Sequence, residues 1–168
     1  MIEIHTKLEL KDYLKLSRTL MFRRGIVIVF MIIGVYAIAV SLITRLWFPQ
    51  TFHNSGGLYT LLLGVFILLS YPVINYFNSK KIFNSHARLK EEITYQFTDE
   101  NIKIAGESFS GEKTWDKVYK ILELKDWILI YENKFVATIL KKASFSSEQL
   151  QAFKNLVKSK NIKAKWKY

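Results

Sequence analysis

At 168 residues the chain has room for one ordinary domain, but half of its residues are hydrophobic and these are unevenly distributed, so the local pattern decides its class. Lysine and arginine total 25 against 14 acidic residues, a formal charge of +11, which suits an anionic partner such as a phosphate-rich membrane or nucleic acid. There is no cysteine, which excludes disulfides, thiolate metal sites and thiol catalysis and is compatible with a reducing cytosol.

The opening MIEIHTKLEL alternates Ile2, Ile4 and Thr6 with Glu3, His5 and Lys7, the period-two pattern of a half-buried strand. KDYLKLSRTLMF then predicts a short helix with Tyr13, Leu16 and Leu20 on one side. Gly25 to Thr44 carries no charge, and at about 1.5 Å per residue it reaches roughly 30 Å, the hydrocarbon thickness of a bilayer. Leu58 to Phe77 repeats that length, with Pro72 near one end. Two buried core helices are the alternative, but so short a chain has little left to cover them on all sides. Ala37-Ile38-Ala39 has the form of a signal-peptide cleavage site; the acidic residues upstream and the apolar run through Val40, Leu42 and Ile43 argue against cleavage.

The organisation expected is residues 1–24 as a cytoplasmic strand and helix, 25–44 as a first transmembrane helix, 45–57 as an extracytoplasmic loop, 58–77 as a second transmembrane helix and 78–168 as a cytoplasmic C-terminal domain. Orientation follows from the cations: Arg18, Arg23 and Arg24 precede the first span and Lys80, Lys81, Arg88 and Lys90 follow the second, whereas the connection has only Arg45. Both termini are therefore expected in the cytoplasm. Neither span contains an ionisable Asp, Glu, Lys, Arg or His, so anchoring is a simpler job for the hairpin than transport. Gly34, Ala37 and Ser41, with Gly64, would let the two helices approach closely.

Past the second span, NSKKIFNSHARLKEE extends the helix, and then the period changes to that of strands. ITYQFT, IKIAG, a hairpin region at GESFSGEKTW, KVYKILEL, WILIYE and FVATILK give about six strands with short connections, which favours antiparallel neighbours. Ser146 and Gln149 form a capping box for a last helix with Leu150, Phe153 and Val157 on its apolar stripe. The tail KSKNIKAKWKY reads as partly mobile.

Tyr95-Gln96-Phe97-Thr98, Trp115 with Val118 and Ile121, Leu129-Ile130-Tyr131, and Ile139-Leu140-Lys141-Lys142 before Ala143-Ser144-Phe145 together resemble the YcxB-like family of bacterial membrane proteins. One position departs: Lys141 stands where many relatives carry proline. The resemblance implies a C-terminal part similar to a pleckstrin-homology-like barrel, a bacterial inner or plasma membrane location, and no defined chemistry. The fold class expected is thus an α+β membrane protein: a two-helix transmembrane hairpin, plus a cytoplasmic antiparallel, pleckstrin-homology-like barrel with a C-terminal helix. If Ile2 to Lys7 crosses over as a further strand, that sheet gains the number such a barrel needs.

The candidate sites are few. His5, His53 and His86 lack ligand spacing, so no metal and no cofactor are expected. Ser108 and Ser110 read as turn residues, and Glu91-Glu92 and Asp99-Glu100 as solvated acids, so no catalytic residue is nominated and an enzyme is not expected. Arg23, Arg24, Lys80, Lys81, Lys165, Trp166 and Lys167 are nominated for lipid headgroups, each cation near an anionic leaflet contributing about 1 kcal/mol. Trp127 and Tyr131 are nominated for a protein partner, whereas Trp115 reads as core. The partners expected are the lipid bilayer and a protein, without nucleic acid, since no nucleic-acid module appears. The function expected is a membrane-anchored, non-catalytic binding or scaffold module at the cytoplasmic face, contacting either a protein or anionic headgroups. Its competitors are an accessory subunit of a membrane enzyme or transporter and an immunity or stress-related membrane factor.

Overall fold

Ile2–Lys7 forms strand β1, as its alternation requires, and pairs with a strand from far along the chain. A computed structural model describes residues 1–54 and 56–166 and lays β1 antiparallel to β2 (Glu92–Phe97), with Ile4 opposite Tyr95. The ladder continues through β3 (Asn101–Ala105) to β4 (Ser110–Thr114), a four-stranded sheet in the order β1-β2-β3-β4. β5 (Lys120–Glu123), β6 (Trp127–Tyr131) and β7 (Ala137–Lys141) build a second sheet, and β8 (Ala164–Lys165) joins it parallel to β5, in the order β7-β6-β5-β8.

Neither sheet closes, so the barrel expected from the sequence is not what forms. The reason lies between β4 and β5. Trp115–Lys117 is a 3₁₀ turn, and the chain resumes as a strand only at Lys120, so the first three residues of KVYK are not a strand and no ladder joins the two sheets there. The C-terminal tail also differs from expectation: Ile121 N–H donates to the Lys163 carbonyl at 2.9 Å, which pins the segment as β8.

Helix α5 (Ser147–Ser159) packs on the core between these sheets. Its capping box is complete, Gln149 N–H donating to Ser146 Oγ and Ser146 N–H to Gln149 Oε1. The Gln149 amide also donates to the Glu3 carbonyl at 2.9 Å, tying α5 to β1. Phe153 meets Phe97 edge-on at 4.8 Å and is fully buried with it among Ile4, Ile102, Ile121, Ile128 and Leu140. Trp115 is core, its indole N–H donating to the Thr98 carbonyl at 2.9 Å. Residues Met1–Glu9 and His86–Tyr168 thus make one compact unit, the β unit, and Leu10–Ser85 make a second, helical one.

In the helical unit, α1 (Leu10–Met21) precedes α2 (Gly25–Trp47), and α4 (Gly57–Ser85) returns. Both long helices exceed the spans read from hydropathy, and α4 runs through Pro72 without a break. The connection read as a loop contains α3 (Pro49–Asn54), whose first residue is a proline, the position where a missing N–H costs nothing. α2 and α4 run antiparallel and cross where Gly34 and Gly64 meet: a Cβ on Gly64 would lie 2.9 Å from the Gly34 carbonyl oxygen. α1 lies on α4 through Ser17, whose hydroxyl donates to Asn75 Oδ1 at 3.2 Å and shares a 2.6 Å hydrogen bond with Ser79. Tyr13 stacks obliquely on Phe83 at 5.7 Å, and burial there raises its phenol pKa.

Candidate functional site

Strand alternation places Thr6, Ile93, Tyr95 and Ile104 on the core face of the first sheet. Where that face meets β7 the core opens into a cleft of about 390 Å³, lined also by Leu8, Phe109, Val136 and Thr138. Its size falls within the range of small-molecule sites. Thr6 is buried and its Oγ1 has no hydrogen-bond partner. Tyr95 is 4 % exposed, and burial pushes its phenol pKa up to about 12, so the ring stays neutral in the physiological range.

Charge at the cleft is internally matched. Lys113 of β4 meets Glu132 at 2.5 Å and lies 3.4 Å from Thr138 Oγ1, a bridge to the edge of the second sheet. Arg88 sits 5.2 Å over the Phe109 ring. Glu91 accepts from the Ser108 hydroxyl and its backbone N–H, and these bonds hold its carboxyl below the usual range. A carboxylate so held is a poor proton acceptor at neutral pH, and the same holds for Asp116, lowered chiefly by the hydrogen bond from Thr114. Among the described residues, no three His, Asp or Glu come together as metal ligands.

The residues nominated from the sequence fall in separate places. Arg23 and Arg24 are exposed at the junction of α1 and α2, and the Arg24 guanidinium reaches toward the Tyr71 hydroxyl at 3.4 Å. Lys80 and Lys81 are exposed on α4, about 14 Å farther along its axis than Tyr71. The four cations therefore flank the end of the hairpin without converging on one point.

Trp127 is a correction. It is 3 % exposed in β6, so it cannot meet a partner without a rearrangement. The run WILIY is buried at four successive positions, because β6 is central in its sheet and covered on both faces. Tyr131 is half-buried, with the Lys120 ammonium 4.6 Å from its ring centre. Trp166 is partly buried: it packs edge-on to Phe153 at 6.4 Å under the Lys154 ammonium, as part of the cover of the core. Lys165 is exposed in β8, and Lys167 lies outside the described residues.

Sequence reasoning missed two features. Glu123 is 2 % exposed at the end of β5, where Lys142 and Lys154 reach its two oxygens at 2.5 and 3.0 Å; nothing local marks it, since the lysines come from a 3₁₀ turn and from α5. The other is Phe135, 93 % exposed at the turn between β6 and β7, where Asn133 Oδ1 accepts from the N–H groups of Phe135 and Val136.

Residues 97–157 match the family model described as YcxB-like protein. The YcxB-like segment runs from the end of β2 to α5, and so contains most of both sheets but neither β1 nor the two long helices. The motif residues from Phe97 through Trp115, Val118 and Ile121 to Leu140 are core positions, which is why this resemblance identifies a fold pattern and no reaction. No curated protein and no solved structure matches the chain.

Proposed function

We propose that the protein is a two-span protein of the bacterial cell membrane whose β unit is a non-catalytic, pleckstrin-homology-like binding module on the cytoplasmic side. The observation that carries this reading is the surface of α2 and α4. Both are long and apolar enough to cross a membrane, yet no more than 17 % of either apolar stretch is buried within the chain. A soluble core helix would be covered; here Ile32, Tyr36, Leu62, Phe66 and Val73 face outward. Cations outside the hairpin's open end and only Arg45 at its closed end favour a cytoplasmic β unit.

The absence of native cysteine makes the test clean. A single cysteine at Gln50 is expected to react with a membrane-impermeant maleimide in intact cells, and one at Lys103 only in inverted vesicles. The reverse pattern would overturn the orientation, and release of the protein by alkaline carbonate would overturn the anchor.

One observation favours a protein as the module's partner. Phe135 is almost wholly exposed on a turn whose backbone donates two hydrogen bonds to Asn133, the arrangement of an anchor residue presented before binding. Crosslinking in native membranes from position 135 tests it; recovery of one stable catalytic complex would instead favour an accessory subunit.

A further inference from the structure

The cleft of about 390 Å³ in the β unit takes two side chains with hydroxyls from the core face of the first sheet. Ile4 stands opposite Tyr95 and Thr6 opposite Ile93, so Thr6 and Tyr95 are diagonal neighbours across β1 and β2. Thr6 Oγ1 is buried without a hydrogen-bond partner, and among the described residues the one other side-chain atom in that state is Ser41 Oγ, in α2. A hydroxyl taken out of water with nothing to bond costs stability, and native folds leave few such groups. Burial alone raises the Tyr95 phenol, no hydrogen bond contributing, so at physiological pH it keeps its proton and offers it to an acceptor. The charged groups at the cleft are matched: Lys113 pairs with Glu132, and Glu91 accepts from Ser108 beside Arg88. Much of the remaining wall, including Ile93, Ile104, Phe109 and Val136, is apolar.

We propose that this cleft binds a small uncharged molecule, apolar over most of its surface, whose single carbonyl oxygen, that of a ketone, ester or amide, accepts from the hydroxyls of Tyr95 and Thr6. Thr6 reaches it by a turn between staggered rotamers, since its oxygen is shielded from water. Each feature excludes a class of ligand. An ion would have to break a pair or leave its own charge against the apolar wall. A hydrocarbon would leave Thr6 unsatisfied. A sugar or nucleotide carries more polar groups than such a wall can satisfy. The volume, at the low end for ligand sites, suits a single ring or a short chain. Every residue of the site belongs to the β unit, so the inference does not depend on the membrane anchor.

Acetophenone, cumene and benzoate have nearly one shape and differ in carrying a neutral acceptor, no oxygen and a negative charge. With the full chain in neutral detergent and its methyl groups isotopically labelled, acetophenone should shift the magnetic resonance signals of Ile93, Ile104 and Val136 saturably. Benzoate should bind on the order of tenfold more weakly. Tyr95→Phe and Thr6→Val remove the two oxygens and keep the shapes, and the signals of Leu140 and Val157 in the core report that each variant folds. Each should lower the preference for acetophenone over cumene about fivefold, the contribution of one hydrogen bond, a ratio from which partition into detergent cancels. Absence of saturable shifts at the cleft, benzoate binding as tightly as acetophenone, or a ratio unchanged in both variants would each overturn the proposal.

Discussion

The β unit and the two long helices differ in what they bury. Inside the β unit the fully buried side chains are large, Phe97, Phe153 and a set of Ile and Leu, and they come from both sheets and α5. In α2 the buried residues are Val27, Gly34 and Ser41, and in α4 Gly57, Gly64, Ser79 and Phe83, while most of the large apolar side chains point out. The first pattern is that of a core stabilised by removing apolar area from water. The second is that of helices held by close backbone approach and polar contacts such as Ser17 to Ser79, as expected where the surroundings are themselves apolar.

That contrast predicts different responses to mutation. Phe153→Ala should be the most damaging change, costing about 3–5 kcal/mol because the ring is wholly buried against Phe97 and the hole cannot refill. Denaturant unfolding of the full chain in detergent measures it, and a cost under about 1 kcal/mol would mean that the core is not packed as described.

Tyr95 comes next, through pH. Its phenol is pushed up to about 12 by burial, against about 10 in an unfolded chain. The folded state thus favours the neutral ring. Its contribution is whole below about pH 10 and is lost as the pH rises through about 12, on the order of 3 kcal/mol in all. Wild type should therefore lose more stability than Tyr95→Phe across that window, and parallel curves would show the ring to be solvated.

Gly64→Leu probes the other unit. Its side chain would collide with the Gly34 carbonyl oxygen and with Ile38 Cγ1, 2.8 Å away, and backbone cannot yield. A destabilisation of about 1–3 kcal/mol is expected, with α2 and α4 farther apart by spin-label distances and the β unit unaffected. The smallest effect belongs to Ser146→Ala, about 1 kcal/mol from loss of the cap on α5, visible as faster amide exchange in the first turn of that helix.

The elements that local pattern decides were legible in the sequence. Alternation at Ile2, Ile4 and Thr6 marked β1, the capping pair Ser146 and Gln149 marked the start of α5, and two uncharged runs marked α2 and α4. Whether Ile2–Lys7 joins the C-terminal sheet was left open by the sequence, and its pairing with β2 is seen only in the structure. What stayed hidden depends on partners distant in sequence. WILIY is apolar at every position, so no periodicity says which side of Trp127 is covered. KNIKAKW looked mobile because its charges dominate its composition, yet Ile162, Ala164 and Trp166 alternate toward the core and β5 offers an edge.

The most direct measurement is a spin-label accessibility scan along α4 from Leu58 to Ser85, with the full chain in lipid nanodiscs and each label compared for collision with oxygen and with a water-soluble nickel complex. If the hairpin spans the bilayer, labels at Leu62, Phe66, Leu69 and Val73 favour oxygen, with a change to nickel around Lys80 and Lys81. Uniform access of nickel along the whole helix would contradict a membrane-spanning α4, and with it the contrast between the two units.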